Sequence, residues 1–399
     1  MSVPNTTVLA GQKLPAMIEV DPDSCTYCQA CVDACPVPEC NILGDSFIGI
    51  DPERCIGCGA CIEACPMEAR HVADDSRAFF AALKDGRKIA AVVAPAIAAA
   101  FPDTYENLNG WLLSLGIASV FDVSFGAELT VKSYMDYLTT HNPKMVIAQP
   151  CPVIVNFIET QMPELLPYLA PVDSPLGHTV KMIREYYPDL ADAEIAFISP
   201  CAAKRQELHQ TGCGTYNVTF DAIERHLRTQ GIDLKSFPAL DYESPPAERA
   251  VGFSTPGGLR ATAERWNPEV AEKTCKIEGV DKVFSFLRGL PEALERGEAP
   301  MLVDCLACEK GCNGGTATPA RCKPQAELER LIAARQKKMA DRYLHASPHA
   351  GEGSPDAAIQ DAIAPVVDSY WQPGLYIRTY EDRSPAGREA AVLQKTGTE

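Results

Sequence analysis

Along residues 76–345 the apolar positions fall in short continuous blocks. Ile89–Val93, Ala118–Val123, Met145–Ala148, Ile195–Ile198 and Met301–Val303 each read as a buried strand. Between them, Leu129–Tyr137 and Thr179–Tyr187 repeat apolar residues with helical spacing. Strands alternating with helices predict mostly parallel sheets covered by helices, with the ligand site at the carboxyl ends of the strands. Before residue 76 the pattern is set by cysteine. Residues 346–358, rich in Gly, Ser and Pro, read as a linker. Residues 366–383 then carry Tyr370, Trp371, Tyr376 and Tyr380, a short aromatic tail expected to pack back on the core or bind a partner subunit. The chain divides into 1–75, 76–345 and 346–399.

Composition changes the picture in three ways. At 399 residues there is room for two to four domains. Thirty-six Lys+Arg against 53 Asp+Glu leave a net charge of −17, which argues against nucleic acid or an anionic membrane as the main partner. A hydrophobic content of 46% and a mean hydropathy of −0.09 are ordinary for a folded soluble chain. No apolar run approaches the ~20 residues of a membrane-spanning helix. The N-terminus lacks a basic start followed by an apolar stretch, so the expectation is a cytoplasmic protein with no membrane insertion.

The cysteines carry the chemistry. Nine of the 17 lie between residues 25 and 65, and eight of those form two copies of one pattern. Cys25, Cys28, Cys31 and Cys35-Pro36 are matched by Cys55, Cys58, Cys61 and Cys65-Pro66, with Asp21-Pro22 repeated as Asp51-Pro52. In bacterial dicluster spacing the fourth cysteine of each run ligates the other run's cluster. Cys25, Cys28, Cys31 and Cys65 are therefore assigned to one [4Fe–4S] cluster, and Cys55, Cys58, Cys61 and Cys35 to a second. Disulfides would need an oxidising compartment, and zinc sites rarely use three closely spaced cysteines followed by Cys-Pro twice over. Cys40, in the insertion between the repeats, reads as a buried free thiol.

Three of the predicted strands run into further cysteines: Met145–Pro150 into Cys151, Ile195–Pro200 into Cys201, and Met301–Ala307 into Cys308 and Cys312. Four thiolates at strand ends suit one metal cluster, and a small buried hydrophobe is the competing reading for each. The His residues show no metal-ligand spacing, and no Gly-rich phosphate loop follows a strand.

These loops resemble the three H-cluster signatures of [FeFe]-hydrogenases. The first stands as Pro150-Cys151-Pro152 and the second as Ser199-Pro200-Cys201-Ala-Ala-Lys204-Arg-Gln-Glu207. The third stands as Ala307-Cys308-Glu-Lys-Gly311-Cys312-Asn-Gly314-Gly315. Ala94-Pro95-Ala96, Phe121–Thr130 and Ser254-Thr-Pro-Gly257-Gly258 match as well. The resemblance implies an α+β ferredoxin-like dicluster domain followed by an α/β two-lobed H-cluster domain. It implies that Cys151, Cys201, Cys308 and Cys312 hold a [4Fe–4S] cube, with Cys312 bridging to a two-iron subcluster that carries CO, cyanide and azadithiolate. Maturation proteins would install that subcluster. Lys204 would hydrogen-bond one cyanide, Glu207 would orient Lys204, and Ala94 and Pro95 would shape the pocket around the other.

The sequence departs from the family pattern where protons move. Pro150 stands where active members carry a proton-passing cysteine, Ala170 where they carry a serine, and Tyr134 and Tyr137 where they carry glutamates. A tyrosine of pKa near ~10 is a poor relay at neutral pH. Ser199 and Leu306 replace two pocket methionines, and Ser199 offers a hydrogen bond near the bridging CO. The resemblance thus implies interconversion of H2 with protons and electrons, slow or sensory in this chain, in an anaerobic setting. Ferredoxin or another redox protein, and a partner subunit or signalling protein, are the implied partners. Alternatives are an H2- or redox-responsive regulatory or electron-transfer subunit, or a Narf-like iron–sulfur assembly protein.

Overall fold

The computed structural model describes residues 14–347 and 354–396. Four short strands, β1 (Ile18–Val20), β2 (Asn41–Leu43), β3 (Ile48–Ile50) and β4 (Arg70–Val72), form two antiparallel pairs, β1 with β4 and β2 with β3. Each cysteine run ends in one helical turn, Ala30–Asp33 or Ala60–Glu63, entered through a left-handed residue, Gln29 or Gly59. The sequence repeat is thus also a repeat of structure.

Seven strands follow: β5 (Ile89–Val93), β6 (Ser119–Asp122), β7 (Val146–Ile147), β8 (Glu194–Ser199), β9 (Tyr216–Thr219), β10 (Thr274–Glu278) and β11 (Leu302–Leu306). They sort into two parallel sheets, ordered β6–β5–β8–β9 and β10–β11–β7. Every residue of β5 is buried, as a strand covered on both faces requires. All five expected strands are present, with ends that differ by up to three residues. The apolar-run criterion finds neither β9 nor β10, because both interleave polar residues. In β9 those residues are buried because they are paired: Asn217 N donates to Asp75 Oδ2 at 3.0 Å and Thr219 Oγ1 to Asp74 Oδ2 at 2.9 Å. The expected helices lie within Val123–His141 and Pro175–Tyr186, capped by Asp122 and Ser174.

The linker expected over 346–358 is helical at both ends. The helix Gln325–Ala346 runs to Ala346, residues 348–353 lie outside the described ones, and a further helix spans Pro355–Tyr370. Ser354 caps that helix by accepting from Ala357 N, and Pro355 takes its first position, a start signal hidden in linker-like composition. The helix buries Ala358, Ile359, Ile363 and Val367. The aromatic tail then packs back on the core: Tyr376, Arg378 and Arg383 are buried, and Ile377 bridges to Val172.

Candidate metal centres

Cys35, Cys55, Cys58 and Cys61 line one cavity near the N-terminus, together with Cys40. Cys40 is more than a buried thiol away from the pattern. Its side chain hydrogen-bonds the sulfurs of both Cys35 and Cys55, and as donor it is the main cause that brings Cys35 down to about 6. Burial pushes Cys58 up, and Cys61 to about 11. In the other set, Cys25 and Cys28 are neighbours of Cys31, while half-buried Cys65 closes the second helical turn. Among the described residues no three His, Cys, Asp or Glu side chains close on a point as they would around one metal ion. Cys35, Cys55, Cys58 and Cys61 instead border a shared cavity, a disposition that suits the corners of an iron–sulfide cube.

The second centre is built from both parallel sheets. Cys151 follows β7 and heads the helix Pro152–Gln161, with Pro152 preset for its first position. Cys201 follows β8. Cys308 and Cys312 follow β11, and Cys312 N donates to Ser254 O at 2.8 Å. Gly311 lies at φ 61°, and a Cβ there would sit 2.3 Å from Ser254 O, so only glycine lets this loop close on the Ser254–Gly258 segment. Cys201, Cys308 and Cys312 each feel the charge of Cys151, and Cys308 and Cys312 that of Cys201 as well. Burial raises all four, Cys201 to about 11, Cys312 to about 12 and Cys308 well above the ordinary thiol range. Such thiols keep their protons until a metal displaces them.

The two centres touch. Gly57, at φ 75°, has space for a Cβ only 2.8 Å from Ala203 Cβ, so the second cysteine run lies directly against the Cys201 loop. Cys58 is among the groups acting on Cys308. Across the same seam Gln206 Nε2 donates to Pro52 O at 2.8 Å and Asn156 Nδ2 to Ile56 O at 3.4 Å.

Beside Cys201, Lys204 Nζ lies 2.6 Å from Glu207 Oε2, both side chains buried. Burial pushes the Glu207 carboxyl up, but Lys204 and Arg378 beside it, with a hydrogen bond from Ser174 Oγ, hold it below its ordinary range. Ser199 Oγ donates to Asn217 Oδ1 at 2.6 Å and accepts from Cys201 N at 3.3 Å, which braces the turn carrying Cys201. Ala94 N donates to Ile198 O at 3.0 Å, and Pro95 O accepts from Arg335 Nη1 at 3.1 Å, so both are held at the end of β5. Leu306 ends β11, buried, with its carbonyl accepting from Gly279 N at 3.1 Å.

The sequence model of the iron-only hydrogenase large subunit, C-terminal domain, matches residues 87–316, and that of the 4Fe-4S binding domain matches residues 18–38 and 48–71. The chain belongs to the iron-only hydrogenase family. It is 25% identical over 295 residues to the periplasmic [Fe] hydrogenase large subunit of Nitratidesulfovibrio vulgaris, covering 59% of this chain and 70% of that one. It is also 24% identical over 239 residues to the cytosolic Fe-S cluster assembly factor NAR1 of Encephalitozoon cuniculi, covering 52% and 61%. A variant of the [FeFe]-hydrogenase HydA1 from Chlamydomonas reinhardtii shares the fold, with a TM-score of 0.52 and 20% identity over 66% of this chain and 88% of that one. The family and the two cysteine runs give this chain [4Fe–4S] clusters and a site of the H-cluster type.

Pro150, Ala170, Tyr134 and Tyr137, which the sequence reading sets at relay positions, carry no carboxylate or thiol. Pro150 is half-buried and carries no titratable group. Tyr134 is fully buried, donates to Gln149 Oε1, and is pushed well above its ordinary range by burial and then by Tyr380. Gln149 Nε2 is spent on the carbonyls of Val172 and Asp173, 2.7 Å each. Tyr380 OH donates to Ala170 O at 2.6 Å, so a tail phenol fills the space beside the missing serine. Tyr137 lines an open surface cavity with His141 and Trp371.

Sequence reasoning did not find the tail's part in this. Arg378 lies 3.7 Å from Glu207, and Arg383 pairs with Glu159 at 2.8 Å and donates to Asn156 Oδ1 at 2.7 Å. The aromatic residues up to Tyr380 signalled a tail that packs back on the core, but nothing in the sequence singled out Arg378 and Arg383 as the charges it buries.

Proposed function

We propose that this chain is an [FeFe]-hydrogenase-type redox protein that interconverts H2 with protons and electrons slowly or as a sensor. The placement of four strand-end thiols, from two sheets and within electrostatic reach of one another, beside the Lys204–Glu207 pair carries this reading. Cys25, Cys28, Cys31 and Cys65 hold one [4Fe–4S] cluster, and Cys55, Cys58, Cys61 and Cys35 a second. Cys151, Cys201, Cys308 and Cys312 hold the cube of the H-cluster, with Cys312 shared with its two-iron part. The domains are residues 1–75 and 76–345, with 346–399 as an appended strap. Bound there, the H-cluster supplies the iron chemistry that makes or splits H2.

The chain's own residues set the surroundings. Glu207 holds Lys204 in place through their 2.6 Å contact, so the ammonium can donate to an anionic ligand such as cyanide. Ala94, Pro95, Ser199 and Leu306 wall the pocket and exclude water. Pro150 offers no proton on the side where Tyr134 and Tyr380 are also locked. Ferredoxin or another redox protein exchanges electrons at residues 18–75, maturation proteins load the site, and the chain works in the cytoplasm. Among the described residues no helix is long and apolar enough to cross a membrane.

The closed relay specifically favours a second reading, an H2- or redox-responsive subunit that reports to a signalling partner with little turnover. Similarity to NAR1 supports a third, iron–sulfur assembly. The buried Lys204–Glu207 pair, which a lone cube has no use for, weighs towards the first two.

Infrared spectroscopy of anaerobic protein incubated with a synthetic two-iron precursor tests the proposal. The expected result is CO and cyanide bands that shift under H2. A featureless spectrum with intact [4Fe–4S] signals would overturn it.

A further inference from the structure

Arg70 is 3% exposed, at the start of β4, five residues after the last cysteine of the second run. Its Nη2 donates to Ile48 O at 3.0 Å, while Nη1 is buried without a hydrogen-bond partner. Among the described residues no carboxylate forms an ion pair with it. Residues 18–75 contain twelve Asp and Glu but only two Lys or Arg, and the other, Arg54, is paired with Glu39 at 2.6 Å. A buried cation with no counter-charge costs several kcal/mol. What does surround Arg70 is sulfur: its charge acts on Cys25, Cys31, Cys35, Cys55 and Cys61, ligand positions from both runs.

We propose that Arg70 is the shared counter-cation of the two N-terminal clusters and raises the reduction potential of both. A cube with four thiolates is net negative, and one unit more so when it takes an electron. A fixed positive charge in a low-dielectric interior therefore stabilises the reduced form over the oxidised one. Because its charge reaches ligand positions of both runs, it would also offset the build-up of negative charge when both cubes are reduced. The module can then hold two electrons at once, the number that one molecule of H2 exchanges. Arg70 is thus a positioning charge for electrons.

This inference rests on the two-cluster reading of residues 18–75, and not on the two-iron unit. The test is an EPR-monitored redox titration of the full-length, anaerobically reconstituted chain, comparing wild type with Arg70→Gln and Arg70→Lys. In the glutamine variant both midpoint potentials are expected to move negative. The lysine variant, which keeps the charge but not the guanidinium hydrogen bonds, should stay near wild type. Potentials unchanged in both variants would overturn the inference. A glutamine variant that fails to hold both clusters while the lysine variant holds them supports a need for the charge. Failure of both variants would make Arg70 a folding element and overturn it. Wild-type protein lacking two cubes in this region would instead bring down the two-cluster reading.

Discussion

Electrons and protons meet opposite surroundings on the two sides of the Cys151–Cys312 centre. On the electron side the chain is dense with sulfur and closely packed, with Gly57 against Ala203 and Cys58 within electrostatic reach of Cys308. On the proton side Pro150, Tyr134, Gln149 and Tyr380 form a wall of groups that neither take nor give a proton near neutral pH. The electron side is also the one tied down across domains, by Asn156, Gln206 and Arg205, whose Nε donates to Asp75 Oδ1 at 3.0 Å. A scaffold that keeps electron entry and closes proton entry is built to change redox state more readily than to turn over.

The largest effect that would break this contrast comes from Cys312→Ala. It should abolish the CO and cyanide bands completely while the EPR signals of the N-terminal clusters persist. Retained bands would remove Cys312 from the centre and dissolve the boundary between the two sides. Next in size is Glu207→Gln, which strands the buried Lys204 ammonium. Breaking a buried pair costs about 3–5 kcal/mol, readable as a lower melting temperature and a shift in the cyanide bands. Sign follows from the lowered carboxyl: the pair's contribution is present above the ordinary Glu pKa and is lost as pH falls through the depressed value. The gap between wild type and variant should therefore close only in strong acid. A variant as stable as wild type at pH 7 would mean that solvent and neutral acceptors already serve the Lys204 ammonium without the carboxylate.

The same contrast separates what sequence reveals from what only folding assembles. Cysteine spacing is a local property, so both runs and all three strand-end loops are legible in the chain. So are the strands whose residues are uniformly apolar. Polar strands escape: β9 finds its polar partners in Asp74 and Asp75, more than 140 positions away, and in Ser199 and Cys201 of a neighbouring strand end. The wall on the proton side escapes in half. Pro150, Ala170 and Tyr134 announce themselves as departures from a pattern, and the aromatic tail announces that it packs on the core, but not that Tyr380 meets Ala170 or that Arg378 meets Glu207. Arg70 escapes too, because a lone arginine in an acidic stretch looks like surface charge until its burial is known.

Sharpening the proton side calls for restoring it. Pro150→Cys alone should leave H2 evolution close to wild type, because Tyr134 and Tyr380 still stand outside it. Combining it with Tyr134→Glu, Tyr137→Glu and Ala170→Ser should raise the rate by a factor on the order of 10², the scale of a positioned acid–base group. Both are read as H2 evolution from reduced viologen. A large gain from Pro150→Cys by itself would show that water already reaches residue 150 and that the wall is open.

The smallest effect concerns His178, which completes the neutral lining. Its ring is fully buried, with Nε2 2.9 Å from Ser133 Oγ and Nδ1 3.1 Å from Thr130 Oγ1, stacked on Tyr376. Burial is the main cause that lowers its pKa from 6.5 to about 3. Between those values the unfolded chain binds a proton that the folded chain refuses, so stability falls as pH drops below 6.5. From pH 6.5 to 5.5 the loss is about 1 kcal/mol. His178→Gln keeps a hydrogen-bonding side chain but removes the titration, so anaerobic denaturant unfolding at the two pH values should show wild type losing that much more than the variant. If both lose equally, the imidazole takes up its proton inside the fold. The proton side would then contain a chargeable group within two hydrogen bonds of the cavity at Trp371, and the opposition between an open electron side and a closed proton side would fail.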